Sequence, residues 1–358
     1  MIPLIVDLET EWRGGQSQAL LLLKGLYERG HAAELVAAHG SSLAHRAKKL
    51  GIYVHTVSRG AFRLSAASAI RSQLADGRIE LVHANEAHAL TAAWLAQVHR
   101  RVPLLCSRRI GFPLRKNWVS KARYRSVQRF IANSKNVAQS LMDCGIAAER
   151  IAIVNEGVEI PERISPVERK AARQKWHIRD DDFLFGCASA FVPEKGQRHL
   201  IQALHTVRQE FPNSRLLLVG EGRCRGEVRD LAKRLGLEAS VLLPGFVTNM
   251  HYFYCALDAF VFPSEFEGLG TALQAAMAYA LPAISTTRGA LAEVVEHERT
   301  ALVAQPDPES FAAAMLSLLR DNALQTRLGQ AAREEVARRF SSDLMTENTL
   351  RIYEQVLA

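Results

Sequence analysis

The chain has 358 residues, 48% of them hydrophobic, and a formal net charge of +8. That length suits two domains, each with its own core, and no apolar run reaches the roughly 18 residues of a membrane-spanning helix. The five cysteines are odd in number and lack a Cys-x-x-Cys pair, which predicts a reducing compartment without disulfides or zinc.

Residues 1–6 are too few for the apolar stretch of a signal peptide, and Asp7 follows at once, so they read as the first strand. Strand-like runs then recur at 33–37, 53–57, 79–83, 102–106, 130–132 and 151–154, with helical patterns between them. Ala19, Leu22, Leu23 and Leu26 mark one face of a helix over 16–29, and Gly30 ends it. This alternation predicts a parallel sheet covered by helices on both sides. Ligands of such sheets bind beyond the carboxyl ends of the strands.

Several polar candidates fall at those ends. Gly14 and Gly15 follow the first strand, as a loop that approaches a ligand or as a plain turn. His83, Asn85 and His88 surround the end of the fourth strand. A lone histidine there is either a satisfied structural residue or part of an active site.

The charge is not evenly spread. Residues 101–130 hold nine Lys and Arg and no Asp or Glu, so the remainder is close to neutral. One local patch argues against nucleic acid and for a phosphate-bearing substrate or an anionic membrane face. Within it, Phe112, Trp118 and Tyr124 interleave with Arg108, Arg109, Arg115, Lys116, Lys121, Arg123 and Arg125. Three readings stand: residues 108–125 as an interfacial segment on anionic lipid, Arg108 and Arg109 as ligands of an acceptor phosphate, or a solvated surface. Gly111 and Pro113 make part of the segment a loop. Asn133 or Ser134 caps the next helix.

Pro161 and Pro166 mark a linker. The alternation then restarts, with strands at 183–187, 215–219, 240–243, 259–262, 283–285 and 301–303 and helices at 196–210, 226–235, 307–319, 324–340 and 342–358. The predicted domains are 1–160, 161–342 and a closing helix, 343–358.

Lys195 lies in a tight Pro193-Glu194-Lys195-Gly196 loop ahead of a helix. Pro263-Ser264-Glu265-Phe266-Glu267-Gly268-Leu269-Gly270-Thr271 joins a buried strand to a helix that Pro282 bounds. The helix start offers amide N–H groups and the positive end of a dipole, which suits a phosphate. Gly268 and Gly270 predict close backbone approach to a ligand. Glu267 would repel phosphate but can accept from hydroxyls. Together they suggest a nucleotide-sugar.

Pro263-Ser264-x-x-Glu267-Gly268-x-Gly270, followed by Ala276-Met277-Ala278 and Pro282, resembles the signature of glycosyltransferase family 4, and the resemblance extends over nearly the whole chain. It implies a GT-B fold: two Rossmann-like, doubly wound parallel-sheet α/β domains facing a cleft, with the last helix crossing back to the N-terminal domain. It implies a retaining enzyme that moves a sugar from a nucleotide diphosphate donor without a bound metal or other cofactor. Glu267 would contact the donor sugar, and Lys195 with the N–H groups of Gly268, Leu269, Gly270 and Thr271 would meet the leaving diphosphate. Glu221, Phe246 and Val247 resemble the base-binding loops, with Pro244-Gly245-Phe246-Val247 as the turn. The segment from Arg288 resembles a Gly-rich loop. Gly15 resembles the family's N-terminal glycine loop, and His83 would face the sugar as a third catalytic candidate. Asn85, His88, Arg108 and Arg109 would serve the acceptor, a glycan or lipid-linked molecule, in the cytoplasm at the inner face of a membrane.

Two positions depart from the family pattern. Ala275 stands where a second Glu would hold the ribose, Gln274 beside it is turned about 100° away on the helix and is no obvious replacement, and Ala190 stands where an Arg would precede Lys195. A non-catalytic relative that binds sugars or partners is therefore the alternative. A nucleotide-sugar epimerase lacks support from this turn.

Overall fold

The computed structural model describes residues 1–58, 62–110 and 117–358. Of the basic segment, Gly111, Phe112, Pro113, Leu114, Arg115 and Lys116 lie outside the described residues. The chain divides into one unit of residues 1–157 with 341–358, and a second of residues 158–340.

The first unit runs β1 (Pro3–Asp7), α1 (Gly14–Glu28), β2 (Glu34–Ala38), α2 (Ser42–Lys49), β3 (Tyr53–Val57), α3 (Phe62–Gln73), β4 (Leu81–Ala84), α4 (Ala87–Leu95), β5 (Leu104–Arg108), α5 (Trp118–Arg125), β6 (Arg129–Ala132), α6 (Lys135–Asp143) and β7 (Ile151–Ile153). The second runs α7 (Pro166–Lys175), β8 (Phe183–Ala188), α8 (Gln197–Val207), β9 (Ser214–Val219), α9 (Arg225–Arg234), β10 (Val241–Gly245), α10 (Met250–Ala256), β11 (Ala259–Phe262), α11 (Thr271–Ala278), β12 (Ala283–Ser285), β13 (Leu302–Val303), α12 (Pro308–Arg320) and α13 (Asn322–Arg339). The closing helix, α14 (Ser342–Leu357), belongs to the first unit.

Among the described residues the first sheet is ordered β3-β2-β1-β4-β5-β6-β7 and the second β10-β9-β8-β11-β12-β13, with every named pairing parallel. Alternate residues of the first sheet enter two cores. Leu4, Val36, Val82 and Leu104 face α3, α4 and α6, while Ile5, Leu35, Leu81 and Leu105 face α1, α2 and α14. Tyr353 of α14 is fully buried in the latter. The second unit packs around one core, which includes Phe185, Leu216, Phe260, Phe262 and Phe311.

In each sheet the strand order reverses direction once, between β1 and β4 and between β8 and β11. Such a switch point opens a crevice beyond the strand ends, where ligands of this architecture sit. In the second unit the loops leaving neighbouring strands are therefore lined up as Phe246, Glu221, Lys195, Glu267 and Arg288.

Candidate active site

The two loops at the second switch point are fastened together. The amide of Glu265 donates to Glu194 O at 2.8 Å, and Thr286 Oγ1 from the β12 exit donates to Ser264 O at 2.5 Å. This brings Lys195 onto the Glu267 turn. Its ammonium donates to the Glu267 carboxylate, to Phe266 O at 3.2 Å and to Ser264 Oγ at 3.4 Å. Both side chains are mostly shielded, 18% exposed for Lys195 and 14% for Glu267, yet each keeps an open edge. A lysine has three donors, and here they meet three acceptors.

Helix α11 begins beside this pair. Gly270 is its N-cap, and no side chain caps the helix end. The first-turn amides of Thr271 and its neighbours thus retain the anion-binding character of a bare helix start. The expectation for Gly270 needs correction. Its φ of +70° is left-handed, but a Cβ there would lie 2.6 Å from Leu291 Cδ2. Glycine is required for that turn and for packing against the protein, so its bareness faces inward. Leu269 is likewise buried.

Ala275 is half-buried on α11 and carries no polar group. Gln274 turns the other way, as the helical step of about 100° requires. It is fully buried, Nε2 donates to Leu269 O at 3.3 Å, and Oε1 has no partner. At the base-side end of the row, Phe246 is 53% exposed, Val247 packs on the core, and the Glu221 carboxylate lies over Gly245, 2.4 Å from where a Cβ would sit.

In the first unit the residues expected to form a site are largely occupied by one another. His83 lies within β4, paired with Ile5 and Leu105, not in the loop beyond it. It is 2% exposed, with Nδ1 2.6 Å from Tyr353 Oη and Nε2 2.8 Å from Ser107 Oγ. Burial pushes the imidazole down to about 3, so it is neutral. The reading of His83 as a residue facing a sugar is corrected: both ring nitrogens are held by protein.

Asn85 is similarly engaged. Nδ2 donates to buried Asp7 at 2.6 Å and to Gly15 O at 3.1 Å, while Oδ1 accepts from Arg109 at 2.7 Å. Arg109 also donates to Asn85 O and pairs with Glu156 at 3.2 Å, so its charge is matched within the unit. Gly14 and Gly15 open α1 and are not a separate loop. Arg108 ends β5 and lines, with Asn133, Asn155 and Glu156, a cavity of about 30 Å³. That space is on the scale of a water molecule.

His88, 40% exposed, accepts from Arg63 at Nδ1. With Glu9 and Glu86 it places one ligand atom each within 4.8 Å. Glu86, however, caps α4 by accepting from the amides of His88 and Ala89 and also accepts from Leu8 at 3.3 Å. Burial raises its carboxyl to about 7.

Two Rossmann-like units with these strand orders define the GT-B fold. Among solved structures, Anabaena Alr3699/HepE in complex with UDP and glucose has a TM-score of 0.87 at 21% identity, covering 98% of this chain and 99% of that one. A glycosyltransferase from Rickettsia africae ESF-5 has a TM-score of 0.86 at 21% identity, covering 99% and 98%.

Residues 12–161 match the model described as Glycosyltransferase Family 4, and residues 168–335 match Glycosyl transferases group 1. The chain belongs to this family. The lipopolysaccharide core biosynthesis glycosyltransferase LpsD of Rhizobium meliloti is 30% identical over 236 residues, 66% of each chain. The capsular polysaccharide biosynthesis glycosyltransferase CapM of Staphylococcus aureus is 27% identical over 234 residues, 63% of this chain and 61% of the relative. For several other curated relatives the chain spans little more than half their length.

Proposed function

We propose that this chain is a retaining glycosyltransferase that transfers a hexose-type sugar from a nucleotide diphosphate donor to a cell-envelope glycan, lipid-linked or of the lipopolysaccharide kind. The observation that carries this is the Lys195–Glu267 pair at the switch point of the second sheet, beside the start of α11. As the glycosidic bond to the diphosphate breaks, negative charge grows on the leaving phosphate. Lys195 and the first amides of α11 are fixed in advance to meet it. Glu267 accepts from hydroxyls of the donor sugar. In this reading no metal is required, and Glu221, Phe246 and Val247 border the base. The first unit receives the acceptor, with Arg108 at the end of β5 a candidate for an acceptor anion. Relatives named for lipopolysaccharide core and capsular polysaccharide synthesis support the class of acceptor.

Peripheral attachment at the cytoplasmic face of an anionic membrane belongs to the same proposal. Trp118 is 78% exposed and shares α5 with Lys121, Arg123 and Arg125, a pairing of apolar anchor and cations suited to an interface. No helix among the described residues is long and apolar enough to cross a membrane.

A donor screen with mass detection of the product tests the activity. Transfer from one nucleotide-sugar with retained anomeric configuration is expected. Ala190 and Ala275, with Gln274 turned inward, favour a second reading, a non-catalytic sugar- or partner-binding relative. Nucleotide binding without turnover toward any acceptor would support it.

A further inference from the structure

The loop leaving β12 lies against the Glu267 turn. A Cβ on Gly289 would fall 2.6 Å from Glu267 O, and the Ala290 amide donates to that same oxygen at 3.4 Å. Arg288 precedes Gly289. Its amide approaches Thr286 Oγ1 at 3.5 Å, and Thr286 in turn holds Ser264 O. The backbone of Arg288 is therefore anchored one residue from the backbone of Glu267. Its side chain is exposed, and the guanidinium has no hydrogen-bond or ion-pair partner among the described residues.

The charge at the neighbouring switch point makes this position informative. The Lys195 ammonium is matched by the Glu267 carboxylate, so the pair offers no net charge. A nucleoside diphosphate brings at least two negative charges, and the α11 start supplies only about half a positive one. Strand order places Arg288 at the exit next to that of Glu267, on the side away from Lys195. A guanidinium pairs phosphate oxygens in bidentate geometry and is always charged.

We infer that Arg288 binds the diphosphate of the donor and supplies the positive charge that the Lys195–Glu267 pair lacks. This rests on the proposed donor site and adds a phosphate ligand that sequence reasoning left as part of a loop.

The test uses the full chain with UDP, GDP and ADP and the matching monophosphates, first by thermal shift and then by calorimetry with the diphosphate that binds. Arg288→Ala is expected to weaken that diphosphate by about 10- to 100-fold, the range for a charge-assisted hydrogen bond, and to leave the monophosphate unchanged. Arg288→Lys should recover part of the loss. Arg229→Ala, an exposed cation on α9, should match the parent chain. Wild-type diphosphate affinity in Arg288→Ala, or an equal loss for mono- and diphosphate, overturns the inference while leaving the donor site standing. If none of the three diphosphates binds the parent chain, the donor reading itself falls.

Discussion

Gly196 meets Pro263 so closely that a Cβ on the glycine would lie 2.6 Å from the Pro263 carbonyl oxygen. Its φ of +65° closes the short 3₁₀ turn that carries Lys195 and opens α8. The glycine is thus what lets the lysine loop seat on the glutamate turn. Gly196→Ala combines left-handed strain with a backbone clash. We predict a loss of about 1–3 kcal/mol in urea unfolding, together with loss of diphosphate binding.

Lys195→Ala keeps Gly196 and the turn it closes but removes the side chain beyond Cβ, and with it the ammonium that meets Ser264, Phe266 and Glu267. Turnover should fall by about 10²- to 10³-fold, the scale of one lost transition-state donor, with unfolding little changed. A purified, folded variant that retains the parental rate would remove Lys195 from the mechanism.

Gln274 offers a separation of stability from donor contact. Its Oε1 is buried without a partner, a condition that costs about 1–3 kcal/mol. Gln274→Met should therefore match or exceed the parent in urea unfolding and bind the diphosphate equally well. Weakened diphosphate binding would show that the amide, despite its burial, serves the ligand.

His83 and Glu86 should give opposite pH dependences. His83 has a folded value near 3 against 6.5 when unfolded. The unfolded chain binds the extra proton between those values, so this stability is complete above about pH 6.5 and is lost as pH falls, at up to about 1.4 kcal/mol per unit. Glu86 has a folded value near 7 against 4.5. Its contribution is complete below about pH 4.5 and is lost as pH rises through 7. The slopes oppose each other between about 4.5 and 6.5, so each emerges only by difference. His83→Gln should lose less stability than the parent on acidification, and Glu86→Gln should lose less on going from pH 5 to 8, both read from urea midpoints.

Much of the architecture was legible because periodicity reports burial. The helices over 307–319, 324–340 and 342–358 appear as α12, α13 and α14, and the alternating apolar runs appear as the two parallel sheets. Strand edges shifted where turn chemistry intervened. The run at 102–106 begins as a strand only at Leu104, after a turn at Arg101, a bend at Val102 and Pro103. That Lys195 and the Glu267 turn lie on the same side was expected from the sequence, but their ion pair was not, because β8 and β11 become neighbours only through the strand order. The first unit was less transparent, because sequence does not say which polar groups satisfy each other. His83 looked available until Tyr353, 270 residues away, took its ring nitrogen. Arg109 looked like an anion ligand until Glu156 paired with it. Arg288 had only its neighbours in sequence to describe it, and its position against Glu267 depends on strand order.

The placement of α14 has a consequence for biogenesis. The seven-stranded sheet leaves the ribosome before the other unit, but α14, which completes the core around Ile5, Leu81 and Leu105, is translated only after the whole of that unit. Until then α1 and α2 cover only part of that face, and the share belonging to Met345, Leu350, Tyr353 and Val356 stays exposed while the later-made half matures. Truncation after residue 340 would leave that part of the face permanently open, and aggregation of the nascent product is the expected result.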